Sequence, residues 1–395
     1  MKRERKSIDE VLKSVISSLL KDLEDADEVV LENVTLDIEE LTFELPSTLL
    51  PLIEKKVIEE KPIEITPEKA VFEEPTIEWK GRIVEVKIGA GSRKVTYVVG
   101  GEEKPRFYSL NYTPPHKPIL SMDVFDTRIP LPKAVKDHFK DLLDNPTEWA
   151  AYCVEKLGAD MVNIHLVSTD PNFKDTTPRE AAKVVEEILQ RINTPLCIGG
   201  SGHPKKDVEV FKVITEITSG ERVIINSVNL DMKLEEIAPL IKKHGHVVVA
   251  FVPMDLDKAR QLVRKLRQWL DKEDILLDMN TAGIGYGWEY AFTATERARL
   301  AALKGDEELQ HPLVSAISNS WTAREAWMKM PEYWGLREVR GPLWEILTGI
   351  SSLIAGADYL MILHPLTLKI LKTIINQIFE IKREIEIAEW VSKKL

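Results

Sequence analysis

Between residues 118 and 363 the chain repeats one theme eight times: an apolar run of strand length, then a longer amphipathic stretch. The runs read PILSMDVF (118–125), DMVNIHLV (160–167), PLCIGG (195–200), RVIINS (222–227), HVVVAFV (246–252), DILLDM (274–279), LVSAIS (313–318) and DYLMIL (358–363). Short continuous apolar runs that alternate with helical segments are the pattern of parallel strands covered on both faces. Two helix starts are explicit. Asn145-Pro-Thr-Glu148 and Thr177-Pro-Arg-Glu180 each supply a capping side chain, a proline at the first helical position and a glutamate at the third. Gly158, Gly220 and Gly245 fall where helices should stop. Eight strand–helix units predict an α/β fold, a (β/α)8 TIM barrel over residues 118–395 with a C-terminal helix. An open doubly wound sheet is the second choice. It usually has fewer strands and a glycine-rich phosphate turn after the first, where this chain has DTRIPLPKAV.

Ahead of the barrel the character differs. Ser7 and Glu10 form a capping box, and Val11, Leu12, Val15, Ile16, Leu19 and Leu23 recur at helical spacing, so residues 7–24 read as an amphipathic helix. No Lys or Arg occurs from Asp22 to Glu54. Within that window Val34, Leu36 and Ile38 alternate with polar residues, as do Leu41, Phe43 and Leu45 after a one-residue slip, which predicts a bulged strand. A Pro- and Glu-rich linker follows. In residues 76–112, Val84, Val86 and Ile88 alternate, the turn GAGSRK intervenes, and Val95, Tyr97 and Val99 alternate again, which predicts a β-hairpin. The hairpin has no clustered His, Cys or carboxylates, so it reads as a packing or docking module. The expected organisation is an N-terminal helix and acidic docking segment (1–60), a small β-hairpin region (61–117) and the barrel (118–395).

Charge and cysteine content narrow the function. The net charge of −11 offers no electrostatic footprint for a phosphate backbone, which argues against nucleic-acid binding. Cys153 and Cys197 are too few for a four-cysteine iron–sulfur cluster and read as small apolar packing residues. Asp9, Glu10 and Lys13 interrupt the apolar part of the N-terminal stretch. Even LTLKILKTIINQIF carries Lys369 and Lys372, so no membrane span is expected and the reading is a soluble cytoplasmic protein.

In a barrel of this kind the carboxyl ends of the strands form the binding face. The tips bring Asp123 and Arg128 (first strand), Asn163 and His165 (second), Ser201 in GGSGHPKKD (third), Asn226 (fourth), Asp278, Asn280 and Thr281 (sixth), Asn319 (seventh) and His364 (eighth). Polar groups on buried strands are costly unless hydrogen-bonded. Their collection at one end of nearly every strand suits a large polar ligand with many amide or carbonyl groups. Glycines at 283, 285 and 287 let a backbone approach such a ligand closely. Alternatives stay open at three of these positions. Asp278 could cap a helix or pair with Arg128, and His165 could be a hydrogen-bonded core histidine. GGSGHP could be a tight turn, or an anion seat built of free N–H groups and assisted by Lys205 and Lys206.

Catalytic motifs fail. GIGYGW has Trp288 where a dinucleotide fingerprint needs its third glycine. There is no phosphate-binding GxxxxGK[ST], no paired-Cys or His-x-x-x-His metal site, and Ser201 lacks the GxSxG frame. The missing nucleophile–base pair points to a cofactor that carries the chemistry.

Three stretches carry a resemblance. LSMDVFDTRIPLPKAVKDHFKDLLDNPTEWAAYCVEKLGADMVNIHLVSTDPNFKD, PLCIGGSGHPKKDVEV and LLDMNTAGIGYGWEYAFTATERARLAAL resemble the delta subunit of the archaeal acetyl-CoA decarbonylase/synthase complex, over residues 75–380. That family corresponds to the small subunit of the bacterial corrinoid iron–sulfur protein. The resemblance implies a TIM barrel paired with a gamma subunit. The iron–sulfur cluster and most of the corrinoid site would belong to that partner, and alpha, beta and epsilon subunits would complete the assembly. It implies a corrinoid (cobamide) shared between the barrel's open face and the gamma subunit, carrying a methyl group between a tetrahydropterin and the nickel cluster of the synthase. It places no cluster on this chain. The corrinoid-contacting residues expected from the barrel reading are Asp123, Arg128, Asn163, His165, Ser201, Asn226, Asp278, Asn280, Thr281, Gly283 and Asn319. The second reading is a pterin-dependent methyltransferase on the same barrel, and a third is a mainly structural subunit.

Overall fold

The computed structural model describes residues 77–107, 112–279 and 288–380, all within the unit Phe72–Leu395. The predicted helix at 7–24, the bulged strand after it, the linker and the tip residues Asn280, Thr281 and Gly283 lie outside these residues.

A two-stranded antiparallel hairpin comes first, β1 (Val86–Ile88) and β2 (Tyr97–Val99), with Val86 opposite Val99 and Ile88 opposite Tyr97. Eight parallel strands follow: β3 (Ile119–Phe125), β4 (Met161–His165), β5 (Leu196–Gly199), β6 (Ile224–Val228), β7 (Val247–Phe251), β8 (Ile275–Asp278), β9 (Leu313–Ser315) and β10 (Ala357–Ile362). They pair in chain order, and β10 closes back onto β3. This is the TIM barrel that the eightfold alternation predicts. Each apolar run became a strand within a few residues of its expected position.

The helices between them are α1 (Lys133–Lys136), α2 (Pro146–Glu155), α3 (Pro178–Arg191), α4 (Pro204–Ile217), α5 (Leu234–His244), α6 (Leu256–Leu266), α7 (Trp288–Leu303), α8 (Arg337–Ala355) and α9 (Pro365–Glu380). The cap signals held. Asn145 accepts from the Glu148 N–H at the start of α2, and Thr177 and Glu180 form a reciprocal capping box on α3. Gly245 ends α5 at φ +76°, a left-handed conformation that needs no Cβ. No helix among the described residues is long and apolar enough to cross a membrane.

One apolar layer lies between strands and helices, where Trp149, Phe139 and Phe211 are the largest fully buried side chains. A second fills the barrel interior. Val86, Ile88 and Val99 of the hairpin join it, packed with Ile119, Met161, Ile224 and Val247 at the amino-terminal ends of the strands. The Val84 N–H donates to Gln310 O (2.9 Å), Gly89 to Arg222 O (3.0 Å) and Lys94 to Asn193 O (3.1 Å), all on segments that lead into strands. The hairpin therefore plugs the amino-terminal end of the barrel and leaves the opposite end as its mouth.

A fully buried charge cluster fixes that plug. Arg106, just after the hairpin, reaches Glu102 (2.5 Å) and Asp358 of β10 (2.5 Å). Arg299 of α7 reaches Glu102 (2.7 Å) and Asp358 from the other side. Two guanidinium groups and two carboxylates balance in charge, as burial requires. Asp358 also accepts from the Leu313 N–H (2.7 Å) at the start of β9.

Candidate functional site

Strand register decides which tip residues meet. Asp123 of β3 lies opposite Asn163 of β4, and Asn163 opposite Cys197 of β5. One layer nearer the mouth, Phe125, His165, Gly199 and Asn226 share a rung. Side chains two apart on a strand share a face, so both layers point into the barrel. Asn163 Nδ2 donates to Asp123 Oδ1 (2.8 Å) and lies 2.9 Å from His165 Nε2. Reversing the amide would set its oxygen against the carboxylate, so the contact with Asp123 fixes its orientation. His165 Nε2 is also 3.2 Å from Asp123 Oδ1, and its ring stacks on Phe125 at 5.1 Å. The side chain of Asp123 is 3% exposed and that of His165 25%, so the histidine is the edge that faces the mouth. Asn163 is fully buried, and its Oδ1 has no hydrogen-bond partner among the described residues.

Met361 of β10 is a member of this group that sequence reasoning missed. Its sulfur receives Asn163 Nδ2 at 3.3 Å and Asn226 Nδ2 at 3.7 Å. A methionine in an apolar strand reads as core. The only signal was its spacing of two from Tyr359, which also faces inward. Below it the interior is apolar apart from the Ser121–Tyr359 hydroxyl pair at 2.9 Å. Burial pushes the Tyr359 phenol well above its ordinary range and the Cys197 thiol well up, so neither is an acid or a nucleophile there. Cys153 and Cys197 are both free and buried, as packing residues are.

The other expected tip residues divide between the mouth, where Asp278 keeps the inward face two residues on from the interior Leu276, and the surface. Arg128 is 58% exposed and pairs with Asp144 at 3.3 Å, so it does not pair with Asp278 inside the barrel. Asp278 is buried at the end of β8, and its carbonyl accepts from the Val252 N–H (2.9 Å). Asn319 sits in a 3-10 turn, Ile317–Thr322, that follows β9. The anion-seat reading of GGSGHP is corrected by Asp207 of α4. Its carboxylate takes the Ser201 N–H (2.8 Å), the Ser201 hydroxyl (2.9 Å) and the Gly202 N–H (2.9 Å). The chain supplies its own anion, because Gly200 has no Cβ to block it; one would stand 2.4 Å from the Asp207 carboxyl carbon. Burial raises the Asp207 carboxyl, and these donors pull the other way. Asp126 plays the same part between the first two loops. It accepts from the Ser168 N–H (3.1 Å) and hydroxyl (2.5 Å), and burial raises it against those donors.

At the eighth tip, His364 caps α9 through Nδ1, which accepts from the Leu366 N–H (3.1 Å). It is held at about 4 by burial, with His138 adding to the effect, so it is neutral. Glu345 of α8 takes the N–H groups of Leu363 (2.6 Å) and His364 (3.1 Å), and burial raises it to about 7 against those donors.

The mouth is thus a buried acceptor–amide–imidazole group over an apolar floor. It can present hydrogen-bonding edges to a ligand, and among the described residues it has no activated nucleophile.

Residues 85–376 match the family described as CO dehydrogenase/acetyl-CoA synthase delta subunit. The chain is 44% identical to the acetyl-CoA decarbonylase/synthase complex subunit delta of Archaeoglobus fulgidus, over 82% of this chain and 74% of that one. It is 38% identical to the subunit of the same name from Methanocaldococcus jannaschii, over 95% and 96% of the two chains. Among solved structures it is similar to the dihydropteroate synthase of Yersinia pestis, with a TM-score of 0.46 at 12% identity over 74% of this chain and 99% of that one.

Proposed function

The chain belongs to the CO dehydrogenase/acetyl-CoA synthase delta subunit family, and from that premise we propose that it pairs with a gamma subunit and covers, with its barrel mouth, a corrinoid held mainly by that partner. A corrinoid so placed supplies the nucleophilic metal centre for moving a methyl group between a tetrahydropterin and the nickel cluster of the synthase. The residues of this chain bind and orient.

The observation that carries this reading is Asn163. Its amide nitrogen is committed to Asp123, while its buried oxygen lacks a partner among the described residues. An unpaired buried acceptor costs about 1–3 kcal/mol. An amide N–H of the kind that rims a corrinoid offsets that deficit. Asn226, whose side-chain amide meets only the weak acceptor Met361 Sδ among the described residues, has donors to spare for a ligand carbonyl. His165, backed by Phe125, offers a rigid polar edge at the opening. Asn280, Thr281 and Gly283 follow the end of β8 in sequence and would extend the same surface. The apolar floor and the hairpin plug keep water from entering behind the ligand.

The test is corrinoid retention. A purified gamma subunit should hold corrinoid through gel filtration better with this chain than without it, and Asn163→Ala should weaken that gain roughly tenfold. Equal retention by the gamma subunit alone would remove the proposal. The pterin reading draws on the same carboxylate–amide pair, Asp123 and Asn163, which can face a pterin's donor and acceptor edge. Calorimetric titration of the isolated chain with methyl-tetrahydropterin separates the two, since stoichiometric binding without the gamma subunit would favour the methyltransferase reading.

A further inference from the structure

His165 differs from three other imidazoles of the barrel in what surrounds it. His246, His311 and His364 are buried, and burial holds each at about 4, so all three stay neutral. His165 keeps 25% of its side chain exposed at the mouth. Its Nε2 stands between two partners of opposite kind, the Asn163 amide nitrogen at 2.9 Å and the Asp123 carboxylate at 3.2 Å. A bare Nε2 accepts from Asn163, and a protonated Nε2 donates to Asp123; it cannot do both at once. The ring therefore has a partner with or without its extra proton. A histidine placed only for packing needs one partner in one state.

The second ring nitrogen has room in front of it. Gly199 of β5 stands beside His165 on the same inward-facing rung, and a Cβ there would lie 3.4 Å from His165 Nδ1. With no side chain at Gly199, Nδ1 borders a gap that reaches to Asn226 on the next strand. The charged groups next to the ring are Asp123 on β3 and Asp126 in the loop after it, with Lys174 beyond Asp126. The strand on the other side, β5, carries no charge.

The reaction read for the mouth has a step that needs such a group. When a methyl group leaves the nitrogen of a methyl-tetrahydropterin, the C–N bond breaks and its electron pair stays on nitrogen. The methyl acceptor supplies the pair for the new bond. The nitrogen must then gain a proton. Side-chain amides such as Asn163 and Asn226 cannot give one up, and the Asp123 side chain is only 3% exposed beneath the ring.

We propose that His165 is the proton-transferring residue of the mouth. With Asp123 holding Nε2–H, the Nδ1 proton passes to the pterin nitrogen as the methyl group departs, and bare Nδ1 takes it back when the methyl group returns. Water restores the proton through the exposed edge of the ring. The inference rests on the methyl-transfer reading of the mouth, and it adds a catalytic role to a chain otherwise read as binding and orienting.

The test uses this chain paired with the gamma subunit and loaded with corrinoid. Rates are taken per corrinoid retained, so that lost binding does not read as lost catalysis. His165→Gln should lower kcat for methyl transfer from methyl-tetrahydropterin by about 100-fold or more, with KM little changed. The parent rate should fall as pH rises from 6 to 8, where a histidine gives up its charge, and the variant rate should not. A second readout needs no turnover. In the pair labelled with nitrogen-15 at histidine, the ring signal that His165→Gln removes should shift when demethylated tetrahydropterin is added, because the product N–H then faces Nδ1. A variant that matches the parent in rate and pH profile, or a His165 signal that the product leaves unmoved, would overturn the assignment while corrinoid retention keeps the mouth reading. Failure of the parent pair to retain corrinoid is a distinct result and removes both.

Discussion

Asn163 Nδ2 lies 2.8 Å from Asp123 Oδ1, across neighbouring strands on a single rung of the barrel. The pair joins a buried carboxylate to the amide that orients the mouth. Replacing Asn163→Asp would set two carboxylates against each other where Asp123 is 2% exposed. The folded variant should then take up a proton that the unfolded chain releases, so its stability deficit should grow as pH rises from 4 to 8. Asn163→Ala should cost about 1–3 kcal/mol with little pH dependence. Urea unfolding at both pH values checks this, and an Asn163→Asp chain as stable as the parent at pH 8 would contradict the contact.

The buried cluster of Arg106, Glu102, Arg299 and Asp358 makes a sharper stability claim. Arg299→Met leaves two acids facing one guanidinium without water, which should cost about 3–5 kcal/mol. Arg128→Ala removes a pair that is mostly in solvent and should change stability by less than about 1 kcal/mol. Chemical denaturation of both variants measures the contrast; similar small losses would show that the cluster is hydrated.

His246 gives stability a pH dependence. Burial holds it at about 4, below the ordinary 6.5, and its Nε2 lies 2.9 Å from Thr215 O. The unfolded chain binds a proton near pH 6.5 that the folded chain refuses until about pH 4. This contribution is complete above pH 6.5 and is lost as pH falls through 4, by up to ~3 kcal/mol. His311, also buried and held at about 4, acts in the same direction. Glu345, raised to about 7 by burial, acts oppositely: its contribution is present below pH 4.5 and lost as pH rises through 7. His246→Gln should flatten the loss of stability between pH 7 and pH 4.5. An unchanged slope in unfolding experiments would refute a neutral, buried His246.

Gly200→Ala tests the self-filled turn after β5. The added Cβ meets the Asp207 carboxyl carbon at 2.4 Å and must push the carboxylate off the Ser201 and Gly202 N–H groups. A loss of about 1–3 kcal/mol is expected. If thermal unfolding showed no change, Asp207 would not be the anion that occupies the turn.

The eight strands, their order, the helix caps at Asn145 and Thr177 and the stop at Gly245 were all legible in the sequence. Each depends on residues within a few positions of one another, where periodicity and capping chemistry act. The polar character of the mouth was legible for the same reason, since a polar residue at a strand tip announces itself. Which tips meet was not. Asp123, Asn163 and His165 converge because the stagger of eight paired strands puts them on neighbouring rungs, and Met361 joins them from the far end of the chain. Arg128 turns outward to Asp144, and Asp207 fills a turn that sequence alone left open to a ligand. The hairpin became a plug because Val86, Ile88 and Val99 pack against Ile119, Met161, Ile224 and Val247 at the amino-terminal end of the barrel. Register, closure and such long-range pairings are settled by the free energy of the whole packed barrel, which no local window of sequence contains.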